Sequence, residues 1–126
     1  MRSDATQPAD ALAATLTRTE IQRERFSVPG REIVQVRTEI PEGVASGWHT
    51  HPGEEVGYIV AGNVRMEIQN RSTLVLHAGD GFCIPPDTPH NALDLGPGTG
   101  VMLSTYLVDV QRPLSAVVVP SRPTVR

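Results

Sequence analysis

From residue 31 onward, short runs rich in valine, isoleucine and threonine alternate with breaks of glycine, proline, asparagine or aspartate. Such a rhythm is typical of strands joined by turns, and no helical pattern of about ten residues separates the runs as parallel βαβ units would require. Strands are predicted over residues 32–40, 45–50, 56–61, 64–69, 73–77, 82–85, 90–95 and 101–110. Eight short strands in a domain of this length predict an antiparallel sandwich or barrel.

Alternation along the predicted strand over residues 64–69 assigns its two faces. Val64, Met66 and Ile68 share one face, so we expect them to line the interior while the polar residues between them face outward. Met66 is accordingly interpreted as a core residue. The dipeptide Gly62-Asn63 before this strand has the form of a two-residue hairpin turn, because glycine accepts a positive φ.

The two ends of the chain differ from this β-rich middle. Residues 1–30 are interpreted as an N-terminal arm. Within it, residues 10–25 form either a short surface helix or a segment ordered on contact, and they are not expected to belong to the working part. Residues 31–110 are assigned to the barrel. Residues 111–126 contain three prolines, so this tail, with its apolar run Val117 to Val119, is interpreted as an edge strand or a strap. An apolar tail of this kind often covers a neighbour, which predicts a homodimer.

Composition narrows the class of protein. The 126 residues suit one domain, and the net charge of −3 comes from scattered residues, so nucleic acid is not an expected partner. The single cysteine, Cys83, excludes an intrachain disulfide and a multi-cysteine zinc site and favours a reducing, cytoplasmic location. No apolar block of signal-peptide or membrane-spanning length is present, so no membrane association is expected.

Histidines and one glutamate are the candidates for chemistry. His49 and His51 lie two apart on a predicted strand, so both imidazoles point to one face. Glu55 opens the next strand after a Pro-Gly turn, and His90, after a proline-rich turn, could close the set. Three imidazoles and a carboxylate suit iron, manganese, nickel, cobalt, copper or zinc better than calcium or magnesium. A histidine pair alone is common on strands for ordinary reasons, so the prediction depends on the wider pattern.

That wider pattern consists of two stretches of fixed spacing. The first runs Gly43, five residues, His49-x-His51, three residues, Glu55, six residues, Gly62; the second runs Gly79, five residues, Pro85, one residue, Asp87, two residues, His90. Together they resemble the two signatures of the cupin superfamily, in the right order and separation. The resemblance implies an all-β double-stranded β-helix, or jelly-roll barrel, with a short N-terminal arm. It also implies one divalent transition-metal ion inside one mouth, held by His49, His51, Glu55 and His90.

The sequence departs from the second signature at two positions. Asp87 stands where the family usually has glycine, and Asp94 stands where it usually has asparagine. Aspartate tolerates the left-handed region better than most residues, so the turn should survive. Neither departure touches a matched ligand. Glu54 should face away from Glu55 by alternation, and it is the fallback ligand if the strand carries a bulge.

Four further side chains could contribute to the predicted metal site or to its surroundings. His77 has no partner nearby in the sequence and is interpreted as a solvated or hydrogen-bonded strand residue. Trp48 should point away from the metal face, which favours packing or an interface. Tyr58 is a candidate proton donor whose register the sequence leaves open. Cys83 is interpreted as a small buried hydrophobe that points inward, since no basic partner is identifiable.

Cupins include dioxygenases, isomerases, decarboxylases, lyases and sugar-binding domains, so the fold alone does not select a function. We expect a metal-dependent enzyme acting on a small organic molecule. Oxygenase chemistry is favoured because an octahedral ion with four protein ligands keeps two positions for water, substrate or oxygen. Glu55 would be the catalytic residue, a ligand that can also take a proton from substrate. The alternatives are an isomerase, decarboxylase or lyase on the same site, or a non-catalytic small-ligand-binding module.

Overall fold

The computed structural model describes residues 10–119, which form two five-stranded antiparallel sheets. Residues 1–9 of the predicted arm and residues 120–126 of the predicted tail lie outside the described residues. A single 3-10 turn, Ala11–Ala14, comes first. The strands are β1 Thr17–Arg25, β2 Arg31–Ile40, β3 His49–Thr50, β4 Gly53–Ala61, β5 Asn63–Ile68, β6 Leu74–His77, β7 Gly81–Ile84, β8 His90–Asp94, β9 Gly100–Asp109 and β10 Ala116–Val117.

The chain crosses repeatedly from one sheet to the other. One sheet has the strand order β1-β2-β9-β4-β7 and the other the order β10-β3-β8-β5-β6, so β2, β4, β7 and β9 alternate with members of the second sheet. This winding is that of a double-stranded β-helix. The predicted all-β jelly-roll architecture is therefore confirmed.

Side-chain alternation fills the space between the sheets. Val64, Met66 and Ile68 on β5 are at most 4% exposed, as predicted from their spacing. On β4 the buried positions are the odd-numbered ones from Gly53 to Ile59, and the even-numbered ones face solvent. One face of the inner strands β2, β4, β5 and β9 is thus buried against the facing sheet.

All eight strands predicted from the sequence are present, with one large difference in extent. Of the predicted strand over residues 45–50, only His49–Thr50 forms a ladder, and Ala45 makes an isolated bridge to Leu93. Gly47 lies between them with φ +83°, a left-handed conformation that interrupts extended pairing. The chain therefore bends immediately before the first of the two paired histidines.

The N-terminal segment differs from its interpretation. A surface helix over residues 10–25 is wrong, because Thr17–Arg25 forms β1 and pairs antiparallel with β2, with a bulge between Glu20 and Gln22. Without β1, the outer edge of β2 would present unpaired backbone groups to solvent. Pairing with that edge outweighs the local helix propensity of the segment, which is a weak determinant in any case.

The turns and the tail take the conformations their residues favour. Gly62 joins β4 to β5 with φ +85°, and Asp87 has φ +53°, so the aspartate occupies the left-handed position where the family usually has glycine. In the tail, Ala116–Val117 forms β10 at the edge of the second sheet, where it pairs with β3.

The start of β4 tolerates only glycine, which gives a test of the packing beside the site. A Cβ added at Gly53 would lie 1.8 Å from the Leu107 carbonyl oxygen, whereas one at Gly81 meets only the Gly57 carbonyl oxygen at 3.4 Å. We expect Gly53→Ala to lower the free energy of unfolding by about 2 kcal/mol or more through overpacking. Gly81→Ala, the matched control, should change it by about 0.5 kcal/mol or less. Urea unfolding measures both, and equal midpoints would contradict the packing described.

Candidate metal centre

Three histidines and Glu55 meet in the interior, brought there by both sheets. His49 on β3 lies directly opposite His90 at the start of β8, and His51 is two residues further along the chain from His49. Glu55 approaches from β4 in the facing sheet. The four residues are between 1% and 3% exposed. The structure thus brings together all four residues that the sequence analysis singled out.

The distances between these side chains fit ligands of a single ion. The three imidazoles offer ligand atoms within 4.8 Å of one another, and Glu55 Oε1 lies 3.3 Å from His51 Nε2 and 3.2 Å from His90 Nε2. Ligands about 2.1 Å from a common ion are about 3.0 Å apart at right angles and about 3.4 Å apart at the tetrahedral angle. The two spacings from Glu55 Oε1 lie between these two values.

Backbone carbonyls determine the tautomer of each histidine. A carbonyl oxygen can only accept, so each Nδ1 that contacts one carries the proton, and the lone pair lies on Nε2. The carbonyls are those of Gly47 for His49 (2.7 Å), Leu114 for His51 (2.7 Å) and Thr88 for His90 (2.9 Å). All three imidazoles are therefore prepared to bind a cation through Nε2.

Buried atoms at the centre of this group lack protein partners. Among the described residues, His51 Nε2, His90 Nε2 and Glu55 Oε1 are inaccessible to solvent and have no hydrogen-bond partner. Lone pairs that face one another in a buried space are costly unless a cation lies between them. The donor set of imidazole nitrogens and one carboxylate oxygen matches a divalent transition metal. The residues therefore fit a bound metal ion.

Charge and burial favour the ligand forms of these groups. Burial lowers the pKa of His49 to about 2, helped by the nearby His90 and His51, so its imidazole is neutral. Burial alone would raise the pKa of Glu55, but His51 and His90 outweigh it and hold that pKa well below its usual range. The other carboxylate oxygen, Oε2, accepts a hydrogen bond of 2.7 Å from Ser104 Oγ. Metal binding requires a neutral imidazole and an ionised carboxylate, and the two shifts favour these forms for His49 and Glu55.

Tyr106 on β9 is a neighbour of the site that no sequence motif pointed to. It lies opposite Glu55 in the ladder between β4 and β9, and its ring centroid is 4.5 Å from that of His51. Its hydroxyl accepts a hydrogen bond of 3.0 Å from Arg18 Nη1. Burial, followed by the negative charge of Glu55, raises the pKa of Tyr106, so the phenol stays neutral at physiological pH.

A small cavity adjoins the four side chains. It leaves about 10 Å³ for the centre of a water-sized particle, which is room for about one water molecule or ion. Its lining combines site residues with apolar ones from both sheets and from the N-terminal segment: Leu12, Leu16, Arg18, Thr38, Ser46, His49, Glu55, Met66, His90, Ala92, Met102 and Tyr106. This volume suits an ion or a water molecule better than an organic molecule.

The N-terminal segment and the tail both contribute to the site, which the sequence analysis missed. Leu12, Leu16 and Arg18 line the cavity, whereas residues 10–25 were not expected to belong to the working part. Leu114 in the tail supplies the carbonyl that holds His51, and Ser115 Oγ lies 3.3 Å from the same Nδ1. No motif signals these contacts, because they arise only when β1 and β10 join their sheets.

Two of the remaining candidates lie outside the cavity, as expected. Glu54 is exposed, and Arg31 Nη1 lies 3.8 Å from its carboxylate, so β4 carries no bulge that would make it the ligand in place of Glu55. His77 is exposed, and its Nδ1 lies 2.6 Å from Asn63 Oδ1.

Two other side chains are exposed. One of them answers a question of register that the sequence left open, and the other contradicts its interpretation. Tyr58 is 49% exposed on the outer face of β4, so it is not a proton donor for the buried site. Cys83 is exposed, and its interpretation as an inward-facing buried residue is wrong. Alternation on β7 directs Phe82 and Ile84 inward, which leaves Cys83 on the outer face.

The fold and the site define a small β-barrel protein with a buried histidine triad. Comparison with protein families agrees: the Cupin domain model matches residues 36–106, more than half of the chain. The chain belongs to the cupin family. Within residues 10–119, no helix is long and apolar enough to cross a membrane.

Individual proteins resemble this chain in sequence or in fold. It is 40% identical over 52 residues to nitrosourea synthase of Streptomyces achromogenes subsp. streptozoticus, a match that covers 41% of this chain and 11% of the synthase. The crystal structure of the DMSP lyase DddQ from Ruegeria pomeroyi has a TM-score of 0.71 at 17% identity, covering 98% of this chain and 61% of the lyase. Recombinant oxalate oxidase in complex with glycolate has a TM-score of 0.66 at 19% identity, covering 93% and 62%. At such identities the structural likeness shows the fold alone.

The pKa of His49 predicts how stability depends on pH. In the unfolded chain, His49 takes up a proton near pH 6.5, whereas in the folded chain it stays unprotonated down to about pH 2. The unfolded state thus binds more protons in that range, so the unfolding free energy of the metal-free protein should fall as pH drops below about 6.5. His49→Gln should weaken this dependence, while His77→Gln, at an exposed position, should leave it unchanged. Urea unfolding between pH 5 and pH 8 measures it, and identical slopes for all three proteins would contradict the assignment.

Proposed function

We propose that this chain is a metal-dependent enzyme acting on a small organic molecule, with oxygenase chemistry as its reaction class. One observation carries the proposal: His51 Nε2, His90 Nε2 and Glu55 Oε1 converge in a buried space without protein partners. A structural role would be expected to satisfy such atoms within the protein. A redox-active divalent ion held by His49, His51, Glu55 and His90 would supply Lewis acidity and electron transfer to a chelating substrate.

The chain's own residues have separate tasks in this proposal. The carbonyls of Gly47, Thr88 and Leu114 orient the three imidazoles, so little reorganisation accompanies binding. Ser104 holds Glu55 Oε2 and leaves Oε1 directed at the histidines. Apolar residues of the lining exclude water, which strengthens electrostatic interactions within the site.

Glu55 is proposed both as a ligand and as the group that accepts a proton from the substrate. Its depressed pKa keeps the carboxylate ionised, as both tasks require. The same depression makes it a weak base, so proton transfer depends on a substrate that becomes acidic when bound. Tyr106 is neutral and lies directly opposite Glu55. Its O–H group can donate a hydrogen bond to the substrate when it rotates toward the site.

Two other classes of function use the same residues. An isomerase, decarboxylase or lyase would need the ion only as a Lewis acid together with a base. A non-catalytic module would bind a small ligand and release it unchanged. A lyase and an oxidase both occur among the proteins of similar fold, so the likeness does not choose between these classes. A ligand set that suits redox-active ions such as iron, manganese and copper supports the oxygenase first.

A homodimer is part of the proposal. The tail carries Val117 and Val119 at 67% and 94% exposure, and the outer face of β4 exposes Val56, Tyr58 and Val60 at close to half their area. Apolar side chains exposed in such number support coverage by a second copy of the chain.

Glu55→Gln tests the proposed catalytic role, because glutamine keeps the size of the side chain and an oxygen ligand but cannot accept the proton. Turnover should fall by about 10²-fold or more, while metal content falls much less. Glu54→Gln, one residue earlier and facing outward, should change neither. The assay is oxygen uptake with catechols, flavonols, diketones and thiols on the iron, manganese, nickel and copper forms.

The same assay separates the alternatives. Equal losses of turnover and metal in Glu55→Gln would assign the residue a purely ligating role. Conversion at an unchanged rate without oxygen would replace the oxygenase by an isomerase or lyase. A ligand that binds tightly and is recovered intact in every metal form would show a binding module.

A further inference from the structure

Arg18 places a positive charge inside the barrel, beside the candidate metal centre. Its side chain is 3% exposed, and it lines the same cavity as His49, Glu55 and His90. A buried guanidinium requires an anion and hydrogen-bond acceptors to offset its desolvation. Among the described residues, Asp10 is the carboxylate that supplies the anion.

The guanidinium is held on two sides by different parts of the molecule. On the barrel side, Nη1 donates to Thr38 Oγ1 at 2.8 Å and to Tyr106 Oη at 3.0 Å. On the other side, Nε and Nη2 both lie 2.8 Å from Asp10 Oδ2. The edge formed by Nε and Nη2 is the one that binds a carboxylate in bidentate geometry. The barrel therefore fixes the orientation of Arg18, and Asp10 occupies its anion-binding edge.

Asp10 belongs to a short segment that closes the cavity. In this closing segment, residues 10–16, Leu12 and Leu16 are 3% and 6% exposed and pack into the core cluster. Its backbone hydrogen bonds, Ala13 to Asp10 and both Thr15 and Leu16 to Leu12, lie within the segment. Apolar contacts and the pair between Asp10 and Arg18 thus hold it to the barrel, and its movement would leave the sheets intact.

The cavity is small compared with an organic substrate. The cavity has room for about one water molecule or ion, and Leu12 and Leu16 of the closing segment form part of its lining, so movement of that segment would open the metal ligands to an organic molecule. Movement of that segment removes Asp10 and leaves the Nε and Nη2 edge of Arg18 without its anion. A buried cation in that condition would favour an anionic ligand.

We propose that the substrate carries a carboxylate, which replaces Asp10 on Arg18 as the closing segment opens. This inference rests on the proposed function, because it assumes a small molecule that reaches the metal centre. Asp10 in the closed form occupies the place of the substrate carboxylate. The substrate's remaining polar groups would then lie toward His49, Glu55 and His90, across the same cavity.

Asp10→Asn is the decisive variant, because it removes the competing charge and keeps both size and the cap on Leu12. Asp10 Oδ1 accepts a hydrogen bond of 3.2 Å from Leu12 N, and asparagine caps equally well. The probe is lactate, with 1,2-propanediol as the uncharged match, titrated by calorimetry into metal-free and zinc-loaded protein. Lactate should bind Asp10→Asn about tenfold more tightly than the native chain, since the open form is more populated.

Further variants separate this role from a structural one. Arg18→Gln should abolish lactate binding. Arg18→Lys keeps the positive charge but lacks the two parallel N–H donors of the guanidinium, so it should weaken binding, and it replaces the glutamine variant if that variant does not fold. Asp87→Asn, which removes the partner of Arg112 from a surface ion pair, is the matched control and should bind lactate as the native chain does. In every protein 1,2-propanediol should bind far more weakly than lactate.

The proposal is overturned if lactate binds Asp10→Asn no more tightly than the native chain, if neither binds it in either form, or if 1,2-propanediol binds equally well. Hydrogen exchange gives a second readout: lactate should accelerate exchange of the amides of Ala13, Thr15 and Leu16, and slower exchange would contradict opening. Neither measurement needs turnover. A protein without activity can therefore still support the inference, and an active one can still refute it.

Discussion

Each of the three buried imidazoles donates its Nδ1 proton to a backbone carbonyl, which leaves the lone pair on Nε2, and the Nε2 atoms of His51 and His90 lie 3.3 Å and 3.2 Å from Glu55 Oε1. The carbonyls belong to loops and to the tail, so the tautomers are fixed by the path of the chain. Reversal of any one ring would turn a donor toward the centre and remove a ligand. The chemistry of the interior depends on these three hydrogen bonds. They leave buried Nε2 lone pairs beside a carboxylate, and a bound cation is the simplest way to satisfy these atoms.

The segment that closes the cavity takes part in the same balance of buried charges. The buried space contains one carboxylate at the candidate metal centre and one guanidinium at its edge, and each has an assigned counter-charge: an ion for Glu55 and Asp10 for Arg18. Because a low dielectric strengthens both interactions, neither partner can leave without a substitute. An anionic substrate that also offers ligands to a metal would replace Asp10 on Arg18, while the metal ion would remain the counter-charge of Glu55. The closing segment thus links admission of a ligand to the charge balance of the interior.

The residues of the candidate centre could be found from the sequence in two ways. Strand alternation places His49 and His51 on one face, and the spacing that resembles the cupin signatures adds Glu55 and His90. Arg18, Asp10 and Leu114 could not be found in this way, since they reach the centre through pairing of β1 with β2 and of β10 with β3. Such pairing between distant segments is a tertiary property. Cys83 was misplaced because a shift of one residue in a four-residue strand exchanges its faces.

The central claim is that His49, His51, Glu55 and His90 bind one transition-metal ion through three Nε2 atoms and a carboxylate. X-ray absorption spectroscopy of the untagged, metal-loaded protein, with elemental analysis of the same sample, tests it most directly. We predict close to one ion per chain, with a first shell of nitrogen and oxygen and the multiple scattering of about three imidazoles. His51→Ala should sharply lower the metal content, and His77→Ala should not. An all-oxygen shell, or no uptake of iron, manganese, nickel or zinc by the native chain, would contradict the account.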